Sequence, residues 1–188
     1  LAKFDHPNII SIYDYGEYQG APFLVMQYLP GGTLKERIGG KRLPWQEAAQ
    51  IAAAIARALA YAHQRDIIHR DVKPANVLVA EDGILKLSDF GIAKTLESEN
   101  TTHLTGTGIG IGTPQYMAPE QWRGKAALQT DIYALGVVFY ELVTGRRPYD
   151  ADTPAAIFEM VLVHPLPNPK DDVPDLPYAD ERIFFKAL

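Results

Sequence analysis

Cysteine is absent from the 188 residues, which excludes a disulfide framework and any cysteine-built zinc site. Neither is needed, because a chain of this length can bury a sizeable core unaided. Excess positive charge is lacking too: 18 Lys and Arg stand against 23 Asp and Glu, for a net charge of −5, and nowhere do five basic residues cluster. A nucleic-acid groove or a polybasic membrane patch is therefore not expected as the main function. Long apolar runs are missing as well. The two most apolar stretches, Ile51–Ala62 and Ile132–Val143, carry Arg57 and Glu141 and fall short of the roughly 18 apolar residues that a membrane span needs. The chain begins at Leu1 with no basic segment leading into an apolar one, so no signal peptide is expected and the first residue reads as a cut. What is present, 47% hydrophobic and 22% charged residues, matches one ordinary globular domain.

Residues 8–13 and 21–29 are rich in Ile, Val, Tyr and Phe, with turn chemistry at Glu17–Gly20, and predict a hairpin closed by Pro30-Gly31-Gly32. Thr33 is placed to cap a short helix through Ile38, which Gly39-Gly40 ends. From Trp45 to about Gln64, the residues Ile51, Ile55, Leu59 and Ala62 recur near the 3.6-residue period and predict a core helix. Asn76–Val79 and Ile84–Leu87 flank Glu81-Asp82-Gly83, a strong hairpin signal. With Asp82-Gly83 as the turn pair, Asn76 and Asp89 face each other across the open end. Thr95–Gly112 loses periodicity and is rich in Thr, Gly and Ser, which describes a mobile loop. Helices are expected over Ile132–Thr144 and Pro154–Val163. Prolines 165, 167, 169, 174 and 177 then interrupt regular structure before a last amphipathic start near Asp180. No internal repeat and no second domain are visible.

The second hairpin places an amide, Asn76, near a carboxylate, Asp89, with Asp71 five residues before the amide. Hard oxygen ligands of this kind suit Mg²⁺, which binds through one or two protein groups plus substrate phosphates. Spacing alone serves equally well a reading in which Asp71 and Asp89 start turns and Asn76 caps one.

The wording of the motifs separates the two. His69-Arg70-Asp71-Val72-Lys73-Pro74-Ala75-Asn76 resembles the catalytic loop of protein kinases, and Asp89-Phe90-Gly91 resembles their metal-binding triplet. Gly112-Thr113-Pro114-Gln115-Tyr116-Met117-Ala118-Pro119-Glu120 resembles the end of a kinase activation segment. The resemblance extends over the whole chain. It implies an α+β, two-lobed protein-kinase-like fold that is incomplete: the last strands of the small lobe and the hinge over 1–29, and most of the mainly helical large lobe over 30–188.

The roles that follow are those the resemblance implies. Asp71 accepts or orients the proton of the substrate hydroxyl, Lys73 steadies the transferred phosphoryl group, and Asn76 and Asp89 hold magnesium. Lys73 in Asp-x-Lys-Pro-x-Asn, together with Thr113, resembles the serine/threonine branch, so the partners are ATP and proteins with Ser or Thr acceptors. Arg70 beside the catalytic Asp suggests control by phosphorylation, with Thr105 and Thr107 as acceptors and Thr101 and Thr102 behind them. Adenine lies against the strand at 23–29: Met26 is the gatekeeper, backbone groups of Gln27 and Leu29 bond the base edge, and Leu78 forms an apolar floor. Ile12, His69 and Phe90 belong to an apolar column joining the lobes, and Asp131 anchors the catalytic-loop backbone.

Other family parts are missing. No Gly-rich loop, strand-three lysine or helix glutamate can be placed, since Leu1–Asn8 already resembles the stretch after that helix. The arginine that pairs with Glu120 in the family is not found before Leu188 either. The resemblance thus implies a piece truncated at both ends, with little or no activity by itself, cut from an ATP-dependent serine/threonine kinase. A pseudokinase or scaffold is the competing class, and a small-molecule phosphotransferase a distant third. Phrases such as Lys-Pro-Ala-Asn and Tyr-Met-Ala-Pro-Glu are similar to bacterial receptor-type kinases, which implies a cytoplasmic domain, tethered or not by a span outside this chain.

Overall fold

The longest buried segment of the sequence is Leu128–Thr144, in which Ala134, Val137, Val138, Phe139, Tyr140, Leu142 and Val143 are all buried. A helix with apolar residues on most of its faces must be covered on most sides, and from Tyr133 onward this one forms the central post of the fold, while Leu128, Gln129 and Ile132 at its start are exposed. In the computed structural model of this chain, residues 4–90 and 113–188 are described. In chain order they form β1 (Ile12–Tyr18), β2 (Ala21–Met26), α1 (Leu34–Ile38), α2 (Trp45–His63), β3 (Val77–Val79), β4 (Leu85–Leu87), α3 (Leu128–Thr144), α4 (Pro154–Val163) and α5 (Tyr178–Ala187). The expected loop at Thr95–Gly112 lies outside the described residues.

The amphipathic α2 turns Ile51, Ile55, Ala58, Leu59 and Ala62 inward and packs on α3. Their approach is tied by the Leu43 N–H donating to the Leu142 carbonyl at 2.8 Å. From the other side α5 inserts Phe184, whose ring stacks on Phe139 at 4.7 Å and meets Tyr140 edge-on at 5.7 Å. Gly136 makes that approach possible: a Cβ there would stand 2.9 Å from Ala187 Cβ and 3.0 Å from Leu188 Cδ2. Gly136→Ala is therefore expected to destabilise the fold by about 1–3 kcal/mol through overpacking, read as a lower urea midpoint with an unchanged m-value.

Several sequence expectations are met closely. Thr33 caps α1 in a full capping box with Glu36, and Gly39, at φ 52°, ends that helix. α2 stops at His63, one residue short of the expected end, and α4 spans Pro154–Val163 under a Thr153 cap. The central helix begins at Leu128, four residues earlier than expected, which places Asp131 inside its first turn. α5 starts at Tyr178.

Two expectations are corrected. The first hairpin pairs Ile12–Tyr18 with Ala21–Met26 and turns at Gln19-Gly20 alone, not over Glu17–Gly20. Both turn residues have positive φ, 52° and 81°, the geometry whose twist suits a two-residue hairpin. Asn8–Ile10 is not part of β1; it pairs instead with β4, the Ile10 N–H reaching the Leu87 carbonyl at 3.0 Å and the Leu87 N–H the Asn8 carbonyl at 2.9 Å. In the second hairpin Val77 faces Leu87 and Val79 faces Leu85, so the loop is the three residues Glu81-Asp82-Gly83. Gly83 takes the left-handed conformation at φ 83°, and the Asp82 side chain accepts the Ile84 N–H at 3.0 Å. That extra loop residue moves the register by one: Asn76 lies opposite Ser88, not Asp89, with the Ser88 N–H on the Asn76 carbonyl at 2.8 Å.

Candidate active site

α2 delivers the chain to His69, and the first turn of α3 receives it. The Asp131 carboxylate is fully buried and accepts three donors: the His69 N–H at 2.8 Å, the Arg70 N–H at 2.8 Å and His63 Nε2–H at 2.7 Å. Buried charge is tolerated only when its lone pairs are met in this way. His69 is itself buried, and burial pushes its imidazole below the ordinary value against the opposing pull of Asp131. Its partners define a neutral ring: Nδ1 accepts the Asp71 N–H at 3.2 Å and Nε2–H donates to the Ser88 carbonyl at 2.8 Å. Both nitrogens are committed, so His69 positions the loop and leaves no nitrogen for proton transfer. Arg70 is held at φ 67°, a left-handed conformation that side chains other than glycine avoid, and Gln121 Nε2 clamps its carbonyl at 2.9 Å.

This framework presents Asp71 at the surface of the loop. Its Oδ2 lies 2.8 Å from Lys73 Nζ and 3.0 Å from Asn76 Nδ2, and the same amide donates to the Asp71 carbonyl at 2.8 Å. Both Asn76 N–H groups are thus spent on Asp71, and Oδ1 is the end of that buried side chain able to meet a cation. Asp89 is exposed and sits at φ 57°, the second strained residue of the site. Ser88 joins it to Asn76: the hydroxyl donates to the Asn76 carbonyl at 3.1 Å and stands 3.4 Å from Asp89 Oδ2. Among the described residues no three His, Cys, Asp or Glu side chains converge into a metal cage. An amide oxygen and one carboxylate, completed by phosphate oxygens and water, make a donor set that fits Mg²⁺.

The remaining candidates fall into two groups. Met26 ends β2 opposite Ile12, and the Gln27 N–H donates to the Ser11 carbonyl at 2.9 Å. Leu29 is half-buried nearby in sequence, and Leu78 of β3 bridges to Thr33. Thr113 lies elsewhere, on an open cleft of about 380 Å³ that it shares with Lys73, Lys35, Tyr116, Glu141 and Arg147. Beneath that cleft the Tyr116 hydroxyl donates to Glu141 Oε2 at 2.5 Å, and burial, reinforced by Glu141, pushes the phenol well above its ordinary value. Phe90 packs between His69, 4.6 Å away centroid to centroid, and Phe4 at 4.9 Å. Ile12 is half-buried at the start of β1. Thr105 and Thr107, with Thr101, Thr102 and Gly91, lie outside the described residues.

Sequence reasoning missed His63, Ser88, Gln121 and Phe4. None carries a motif. The contacts of His63, Gln121 and Phe4 join positions far apart in the chain, and Ser88 reaches Asn76 only through the register of the hairpin.

Residues 1–175 match the family model described as the protein kinase domain. The chain is 44% identical to the serine/threonine-protein kinase PrkC of Bacillus subtilis, over 99% of this chain and 28% of that protein. It is 41% identical to the probable serine/threonine-protein kinase PknB of Lactococcus lactis, over 100% of this chain and 30% of that protein, and 38% identical to the serine/threonine-protein kinase PknB of Mycolicibacterium smegmatis, over 100% and 31%. The chain therefore spans less than a third of the length of these relatives.

Proposed function

The chain belongs to the protein kinase family, and from that membership we propose that the protein carrying it transfers the γ-phosphoryl group of Mg-ATP to Ser and Thr hydroxyls of other proteins. The observation that carries this reading is the Asp71 carboxylate, fixed through Oδ2 by Lys73 and Asn76. Oδ1 is then the oxygen presented to an incoming hydroxyl, close enough in kind and charge to take or orient its proton. Lys73 brings a compact positive charge to the oxygen on which negative charge grows. Thr113 shares the cleft with Lys73 and gives the acceptor a polar wall. Asn76 Oδ1 and Asp89 are the magnesium ligands, and the bound ion supplies charge neutralisation to the phosphates. The Gln27 carbonyl and Leu29 take the edge of the adenine, with Met26 behind it and Leu78 beneath.

On this reading 1–29 is a small-lobe remnant with the hinge and 30–188 most of the large lobe. The domain works in the cytoplasm, with no nucleic-acid partner. No helix among the described residues is long and apolar enough to cross a membrane. The scaffold alternative is disfavoured because positions 71, 73, 76 and 89 all keep groups able to do chemistry.

The test is an assay of the full-length protein with labelled ATP, offering Ser/Thr proteins beside sugars and aminoglycosides. Label in protein is the expected result, and label only in small molecules refutes the reading. Regulation is tested on the same sample. The Arg70 backbone, next in sequence to Asp71, is pinned on both sides, and phosphothreonine is a group that an arginine binds bidentately. Phosphopeptide mapping after incubation with Mg-ATP is expected to find phosphate at Thr105 or Thr107; a segment free of phosphate removes them as regulatory sites.

A further inference from the structure

The β3–β4 hairpin is bonded along both of its outer edges. Asn8–Ile10 runs along β4, while Gly31–Thr33 runs along β3: the Gly31 N–H donates to the Val79 carbonyl at 3.1 Å, the Val79 N–H donates to the Gly32 carbonyl at 2.9 Å, and Thr33 bridges to Leu78. The chain thus enters β1 from one edge of the catalytic hairpin and returns from β2 to the other. The segment seated on the strand that carries Leu78 is Gly31–Thr33, which begins two residues after Leu29.

Gly31 sits at the tightest point of this contact. A Cβ built there would stand 2.4 Å from the Val79 carbonyl oxygen, 3.0 Å from its carbon and 3.1 Å from Val79 Cβ. Its φ is not left-handed, so conformational freedom is not what the position requires. The requirement is close approach of two backbones, and a backbone oxygen cannot swing aside as a side chain would. Gly32 differs: its φ is 70°, and a Cβ there would meet only the end of the Glu36 side chain, at 2.6 Å.

We propose that Gly31 is a positioning residue that sets the spacing between the hinge backbone at Gln27–Leu29 and the Leu78 floor, and so the width of the slot that grips the purine. This rests on the proposed nucleotide site. Relieving the 2.4 Å contact to an ordinary 3.4 Å parts the segment from β3 by 3.4 − 2.4, about 1 Å. A misplacement of that size costs up to about a hundredfold where groups must meet in register.

The experiment compares Gly31→Ala with Gly32→Ala and Leu78→Ala in the full-length protein, measuring ATP affinity, the KM and kcat for ATP, the KM for a Ser/Thr acceptor, and melting temperature. Gly31→Ala is expected to raise the KM and Kd for ATP by about tenfold or more, with kcat and the acceptor KM near wild type. Gly32→Ala is expected to lower the melting temperature without that split. Gly31→Ala and Leu78→Ala are expected to combine less than additively, because they loosen one slot. A folded Gly31→Ala protein with wild-type ATP affinity overturns the proposal, as does one that fails to fold, since a spacing role must be separable from the fold. A wild-type protein that binds no ATP removes the nucleotide reading itself, which is a different failure.

Discussion

Asp71→Asn in the full-length protein is expected to slow phosphoryl transfer by on the order of 10²–10⁴-fold while ATP affinity stays near wild type. Asp71 Oδ2 faces two donors, Lys73 Nζ at 2.8 Å and Asn76 Nδ2 at 3.0 Å. An Asn at 71 must turn its carbonyl oxygen toward them, because its NH₂ would meet donors head-on. The NH₂ then occupies the place of Oδ1, on the side of the incoming hydroxyl, where it has no lone pair to accept a proton. The scaffold held by Asp131 is untouched, so the melting temperature should move little. Single-turnover measurements with ATP pre-bound isolate this step, and a rate within a few-fold of wild type would show that the Asp71 carboxylate is not the acceptor.

The largest effect on stability is expected at Asp131. Asp131→Ala leaves the His69 and Arg70 N–H groups buried without acceptors, each at a cost of about 1–3 kcal/mol, and strips His63 of its partner. Two unmet donors sum to about 2–6 kcal/mol, a large share of the 5–15 kcal/mol that folds typically retain. Arg70 should respond most, since only bonds on both sides hold it at φ 67°. Asp131→Asn keeps one acceptor oxygen and should fall between Ala and wild type. Urea unfolding ranks the three, and limited proteolysis near residues 67–76 reports the loop. An Asp131→Ala protein within about 1 kcal/mol of wild type would mean the loop finds other acceptors.

The contrast between Asp71 and Asp131 shows where sequence reading succeeds. Asp71, Lys73 and Asn76 lie within six residues, and the loop that holds them is stitched mostly by its own members, so motif and geometry coincide. Asp131 was legible as an anchor only through resemblance. Its work is done 61 and 62 residues away in the chain, and the third donor, His63, has no local signature at all. The register of the second hairpin went astray for a related reason. Asp-Gly marks a turn whether the loop holds two residues or three, and the Ser88–Asn76 pairing across the strands decides between them.

The sequence by itself determined the family, the periodic helix α2 and the apolar helix α3, the cap at Thr33, and the identity of the groups able to do chemistry, because each is written in neighbouring residues or in spacing along one element. Only the tertiary structure decided that Asn76 opposes Ser88, that His63 is the third donor to the buried Asp131 carboxylate, that Gly136 admits α5, and that Gly31 lies against Val79. Those are contacts between segments distant in the chain, set by how closely two surfaces can approach and which buried donor finds an acceptor, and neither quantity has a local code.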